Sequence, residues 1–187
     1  MKHRIFTFYL AIVAAYAVIV APAAAEVEKR EFPGIENFSQ IEGAAGFAGA
    51  MAGFGGATQP SAMSGLKSAG FTTVINLRLS SEEGADVDGS RASAEAAGLN
   101  YIHLPFDASK PDLSIVDKFL SAVGTEKNQP AYMHCHSATR AAALWMIGRV
   151  LKDNWDIEAA GEEVEMISPK PAEAIAFATR YIESQEK

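Results

Sequence analysis

The chain is 187 residues long and carries 16 basic against 23 acidic side chains. That length suits one domain with a sizeable core. The acidic excess argues against nucleic acid or an anionic membrane as the main partner, and beyond residue 25 no stretch is apolar enough to span a bilayer.

Met1-Lys2-His3-Arg4 is a short positive stretch, and Ile5 to Val20 is almost wholly apolar. Ala21-Pro22-Ala23-Ala24-Ala25 then supplies the small residues that signal peptidase needs at minus three and minus one. The pattern predicts a secretory signal peptide cleaved after Ala25. The other reading is an uncleaved anchor, but the apolar run is short of the roughly 20 residues that a membrane span needs. The expected mature protein is Glu26 to Lys187, with 14 basic and 23 acidic residues and a net charge of −9. It is expected to be periplasmic or secreted, with no stable membrane anchoring.

Glu26 to about Ser39 is polar and reads as a lead-in. The glycine- and alanine-rich stretch Gly43 to Gly56 reads as a short, weakly specified strand and turn. Pro60 and Ser61 open a short helix, Ala62 to Ala69, closed by Gly70. Three apolar runs have strand character: Phe71 to Leu77, Tyr101 to Phe106, and Ala131 to His134. Between them, Gly89 to Ala97 and Asp112 to Val123 are helical and end at Gly98 and Gly124. Strands alternating with helices of this length predict parallel βαβ units, a single three-layer α/β domain with a mainly parallel central sheet. Ala141 to Leu151 is apolar nearly all round and so predicts a buried helix. Residues 155–165 and 170–185 read as two further amphipathic helices. There is no internal repeat and no interdomain linker.

The single cysteine, Cys135, cannot form an internal disulfide, and an odd thiol in an exported chain needs a reason. A small buried hydrophobe is the commonest fate of a free cysteine. Here, however, Cys135 ends a strand, His136-Ser137-Ala138-Thr139 is a small polar loop, and Arg140 opens the buried helix. A strand, a tight turn and a helix N-terminus form an anion cradle, because the turn's N–H groups and the helix dipole converge on one spot. A thiol at the lip of that cradle is favoured as thiolate, the form that attacks. Arg140 can grip two oxygens of an oxyanion through its planar fork.

His134-Cys135-x-x-x-x-Arg140 after a strand resembles the catalytic loop of the cysteine-dependent phosphatases. The chain is most similar to the bacterial dual-specificity-phosphatase-like family found as the phosphatase-like domain of beta-lactamase-hydrolase-like proteins. The likeness runs from about Gly55 to Leu151. It includes Gly56-Ala57-Thr58-Gln59-Pro60-Ser61, Gly70 to Arg78, Tyr101-Ile102-His103-Leu104-Pro105, and Cys135 through Trp145. It implies a cysteine-phosphatase fold and a phosphoester substrate, small-molecule or protein. Three departures from the typical phosphatase pattern stand out. Four residues separate Cys135 from Arg140, where typical tyrosine phosphatases have five; four is the spacing of the rhodanese sulfurtransferases and of the beta-lactamase-hydrolase-like family itself. Ala138 stands where glycine is usual, and a positive φ there would strain it. Ala141 stands where many phosphatases place Ser or Thr.

In a parallel sheet all strands end at one edge, and ligands bind there. Arg78, Asp107 and the 135–140 loop are therefore expected to meet. The resemblance makes Cys135 the nucleophile, with Asp107 protonating the leaving oxygen and then activating water. Asp112 is the second choice for that acid, though it equally suits the first turn of the following helix. His136, Ser137, Ala138, Thr139 and Arg78 are expected to bind the oxyanion, with Arg78 equally able to pair with Glu82 or Glu83. His134 is expected to face inward and orient the loop. The four histidines show no metal spacing, and this chemistry calls for neither metal nor cofactor. Two rivals remain: a sulfurtransferase carrying a persulfide on Cys135, and an inactive anion-binding module.

Overall fold

A computed structural model describes residues 26–43 and 46–185; the expected signal segment, residues 1–25, lies outside them. Six strands form one sheet in the order β1-β2-β3-β6-β4-β5. They are β1 (Val27–Lys29), β2 (Ser39–Glu42), β3 (Met51–Gly55), β4 (Thr73–Asn76), β5 (Asn100–His103) and β6 (Ala131–His134). Four of them, β3, β6, β4 and β5, pair in parallel, while β1 and β2 extend the sheet antiparallel. The helices are α1 (Met63–Ser68), α2 (Val87–Ala96), α3 (Ser114–Gly124), α4 (Thr139–Asp153), α5 (Ile157–Ile167) and α6 (Pro171–Gln185). The mainly parallel α/β architecture expected from the sequence is the one observed.

Strand side chains alternate between faces, and both faces of this sheet are covered. Val74 and Tyr132 join Met63, Leu66, Phe71 and Leu99 in a core beneath α1 and α2. Ile75 and Met133 join Phe119, Leu144, Trp145 and Ile147 in the larger core beneath α3 to α6. A strand covered on both sides reads as a continuous apolar run, which is why β6 was visible in the sequence. At β1 the lead-in reading is corrected: Val27 pairs with Ile41 and Lys29 with Ser39. Only Val27 of that strand leans on the core, so its polar neighbours conceal it.

The glycine-rich stretch becomes β3. A Cβ at Gly53 would strike the Phe71 ring, and one at Gly55 would strike the Tyr132 hydroxyl. The bare backbone therefore lets Tyr132 lie across the neighbouring strand. Its buried hydroxyl shares a 2.7 Å hydrogen bond with Thr58 Oγ1.

Every residue of α4 from Ala141 to Arg149 is buried, each large apolar side chain contributing about 1.5–3 kcal/mol. Within this helix Arg149 is fully buried. Its Nε and Nη2 donate to the two Glu163 oxygens, both at 2.8 Å, and its Nη1 donates to Asp153 at 3.0 Å. The guanidinium also lies between the rings of Trp145 and Trp155, 4.6 and 4.2 Å from their centroids. This assembly fastens α5 to α4.

Candidate active site

Register gathers the chemistry. Gly55, His134, Asn76 and His103 stand level across β3, β6, β4 and β5. The segments that follow these four residues consequently leave the sheet at one edge.

Cys135 continues from β6, its N–H donating to the Gly55 carbonyl at 3.2 Å, and it is 1% exposed. The chain turns through His136 and Ser137 to Ala138, whose φ is +72°. That left-handed residue is the N-cap of α4 and offers no capping side chain. Such a conformation costs an alanine about 1–2 kcal/mol. It turns the chain so that the first N–H groups of α4, which have no intrahelical acceptor, open toward the loop. Ser137 Oγ lies 3.1 Å from Thr139 Oγ1, which also accepts a 3.1 Å bond from Ser168.

Arg140 sits in the first turn of α4. Its Nη1 donates to Glu82 Oε1 at 2.6 Å, Phe106 O at 2.9 Å and Leu77 O at 3.2 Å; its Nη2 donates to Glu82 Oε2 at 2.8 Å. A guanidinium carries five N–H donors. No oxygen among the described residues accepts from Nε–H or from the second Nη2–H. Those two protons form one bidentate edge, the geometry that suits an oxyanion. Burial works to lower the Arg140 pKa, but Glu82 and the neighbouring Cys135 outweigh it and hold the group above its ordinary value.

Glu82 is the functional residue that the sequence did not single out; it was weighed only as a partner for Arg78. Besides Arg140, its carboxylate accepts from Leu79 N at 2.8 Å and Arg78 Nε at 3.3 Å. Burial would raise its pKa, yet the hydrogen bonds from Arg140 and Leu79 leave it below the usual carboxylate range. Nothing local marks it, because its main partner is 58 residues away.

Arg78 is not brought into this cleft. It is 3% exposed, and its Nη1 and Nη2 donate to the carbonyls of Gly84 at 3.0 Å and Glu83 at 2.5 Å. It thereby braces the loop that presents Glu82. His134 is 1% exposed, and neither ring nitrogen has a hydrogen-bond partner. Burial, reinforced by the Arg78 charge, pushes its pKa down to about 3, so the ring is neutral. It stacks on Tyr132 at 5.7 Å and supports the loop by packing.

Above Arg140 lies a cleft of about 300 Å3, bordered by Glu82, Asp107, His136, Ser137 and Thr139, with Phe106 and Phe177 as an aromatic wall. Cys135 is buried beside Arg140 rather than on the cleft surface. Asp107 therefore reaches the cleft, but its Oδ1 accepts from Ser109 Oγ at 2.7 Å and Ser109 N at 2.9 Å. Those bonds, the hydroxyl's first, hold the Asp107 carboxyl below its usual range. Asp112 stays away from the cleft and accepts from Ser114 N at 3.0 Å in the first turn of α3.

Residues 54–152 match the family model described as the beta-lactamase hydrolase-like protein, phosphatase-like domain. The beta-lactamase hydrolase-like protein of Agrobacterium fabrum is 28% identical over 123 residues, 64% of this chain; the match spans only 27% of that longer protein. Among solved structures, the catalytic core of the Saccharomyces cerevisiae PP-IP phosphatase SIW14 superposes with a TM-score of 0.62 at 19% identity, covering 84% of this chain and 92% of that one. Pseudomonas aeruginosa TpbA superposes with a TM-score of 0.59 at 21% identity, covering 85% and 91%. The fold is thus that of the cysteine phosphatases, and the chain belongs to the phosphatase-like domain family of the beta-lactamase-hydrolase-like proteins.

Proposed function

We propose that this protein is an exported phosphoester hydrolase that works through a phosphocysteine intermediate. The observation that carries this reading is the open bidentate edge of Arg140, held by Glu82 beside Cys135 at the start of α4. The Cys135 thiolate attacks phosphorus, so an S–P bond forms as the P–O bond to the leaving group breaks. Arg140 and the loop N–H groups hold the equatorial oxygens through both displacements. Asp107, once released from Ser109 and protonated, gives that proton to the leaving oxygen. It then takes one from the water that cleaves the S–P bond and frees phosphate.

The test is phosphate release from para-nitrophenyl phosphate beside sulfur transfer from thiosulfate to cyanide, with wild type and Cys135→Ser. Phosphate release that disappears in the serine variant supports the reading, since a hydroxyl is not ionised near neutrality. Sulfur transfer alone would establish the persulfide rival, whose support is the four-residue spacing between Cys135 and Arg140. Asp107→Asn should slow esters with poor leaving groups about 10²–10⁴-fold more than activated aryl esters; no loss on either would remove Asp107 from the reaction, and equal losses on both would mean structural damage. Export is checked by N-terminal sequencing of the mature chain, which should begin at Glu26.

A further inference from the structure

The cleft does not end at its aromatic wall. Ser109 and Phe177 line it, and they also line a second groove of about 400 Å3 bounded by Pro111, Leu113, Arg180 and Tyr181. The two hollows are neighbours, sharing Ala108, Ser109 and Phe177 as a common wall. Half of its lining residues, Phe177, Arg180, Tyr181 and Ser184, come from α6, which lies beyond the family-matched residues 54–152.

Two features give this groove a chemical character. Leu113 is 47% exposed, the most exposed large apolar side chain among the described residues. It is held outward at a fixed point, since Pro111 restricts the backbone before it and Asp112 ties down the turn after it. The second feature is Arg180. Each of the other five described arginines is engaged. Arg78, Arg140 and Arg149 pair with carboxylates, while Arg30 and Arg91 lie over aromatic rings. Arg180 is exposed and forms no ion pair, side-chain hydrogen bond or ring contact among the described residues. It is the only charged side chain lining the groove.

We infer that the groove between the 108–113 segment and α6 is a secondary substrate subsite for the polypeptide segment flanking a phosphorylated residue. An apolar side chain rests on Leu113, Pro111 and Tyr181, and a carboxylate meets Arg180. A polynucleotide would bring repeating phosphates to a groove with a single cation, which is a poor match. The inference rests on the phosphoester reading, because the groove shares its wall with the cleft over Arg140.

The experiment compares two phosphotyrosyl peptides, one flanked on both sides by Leu and Asp, the other by Gly and Lys. Para-nitrophenyl phosphate, too small to reach the groove, is the internal reference. Wild type should prefer the Leu/Asp peptide. Arg180→Glu and Leu113→Ser should each lower kcat/KM for it about fivefold to tenfold, the order supplied by one charge-assisted or apolar contact. Rates on the small ester should hold. Equal rates on the two peptides, or equal losses on peptide and small ester, would overturn the subsite. If the small ester is not hydrolysed at all, the phosphatase reading fails instead. The groove is then judged by fluorescence anisotropy of the labelled Leu/Asp peptide on Cys135→Ser protein, where Arg180→Glu must weaken binding for the subsite to stand.

Discussion

Helix α4 carries two arginine–glutamate pairs built from the same parts and put to different ends. Arg140 and Arg149 are nine residues apart, about two and a half turns, and so project to opposite sides of the helix. Both are gripped by two oxygens of one glutamate, Glu82 and Glu163 respectively. At Arg149 the pairing is closed: the side chain is fully buried, Asp153 takes a further donor, and tryptophan rings cover both faces. At Arg140 the glutamate binds one edge and leaves the other open, with 15% of the side chain exposed. A carboxylate can therefore either seal an arginine into the fold or aim it at a ligand. What decides is which edge it takes and whether the remaining donors face protein or a cleft.

Replacing the two arginine sites should separate these roles sharply. Arg140→Ala should lower phosphate release about 10³–10⁵-fold, the range for a transition-state arginine in phosphoryl transfer. Thermal unfolding should move little. Arg140→Lys should recover only a fraction of the rate, because an ammonium offers no fork; a wild-type rate in either variant would mean that Arg140 serves only the fold.

Glu163→Ala should do the reverse. Removing one member of a buried pair costs about 3–5 kcal/mol, readable as a large drop in the urea midpoint, while the rate per folded molecule at low temperature stays near wild type. Replacing Arg149 and Glu163 together by Met and Leu should cost less than the single change, since the guanidinium and its main carboxylate leave together and, of the charged groups, only the partly exposed Asp153 loses a partner. A double variant as unstable as the single one would contradict the electrostatic account.

Glu82→Gln sits between these extremes. It keeps the shape of the Arg140 clamp but loses its charge, and should slow turnover about tenfold, one charge-assisted contact, with a small change in melting. The wild-type pairing also has a pH signature. Because the Glu82 pKa is lowered in the folded state, the stabilisation is present above the ordinary glutamate value near ~4.3. It is lost as pH falls through the depressed folded value. Melting curves from neutral pH down to acid should show this decline in wild type and a shallower one in Glu82→Gln.

The smallest effect belongs to Ala138→Gly. Glycine takes φ +72° without strain, so the variant should gain about 1 kcal/mol, a few degrees in melting, with its rate retained. A loss of stability would mean that the loop's backbone is not strained at Ala138.

These predictions separate what the sequence made legible from what it hid. Strands β4 and β6 and helix α4 announced themselves because each is apolar on every side, a pattern that surface segments lack. The link from Cys135 to Arg140 was legible for a similar reason, being local: six consecutive residues bracketed by a strand and a helix. Glu82 was not, since its partner lies across the sheet edge and its own loop, Ser80 to Gly84, looks like any solvated acidic turn. Arg78 was legible only as two equal readings, lining the cleft or pairing with Glu82 or Glu83, and it pairs with Glu82. Position after a parallel strand brings a residue to the right edge, but its donors had nearer carbonyls at Glu83 and Gly84. Strand β1 was hidden by its exposure, and the groove between the 108–113 segment and α6 by depending on two segments that are distant in the chain.

Gly55 has a consequence for how this protein can change over generations. The space that its missing side chain leaves is filled by Tyr132, whose ring carries His134, which in turn precedes Cys135. A single added methyl would push on the tyrosine, then on the histidine, and so reach the nucleophile's strand by contact alone. The position has no functional group to lose, yet it should tolerate almost no inheritance of variation. A census of random mutants selected for activity should find it as intolerant as the cysteine itself.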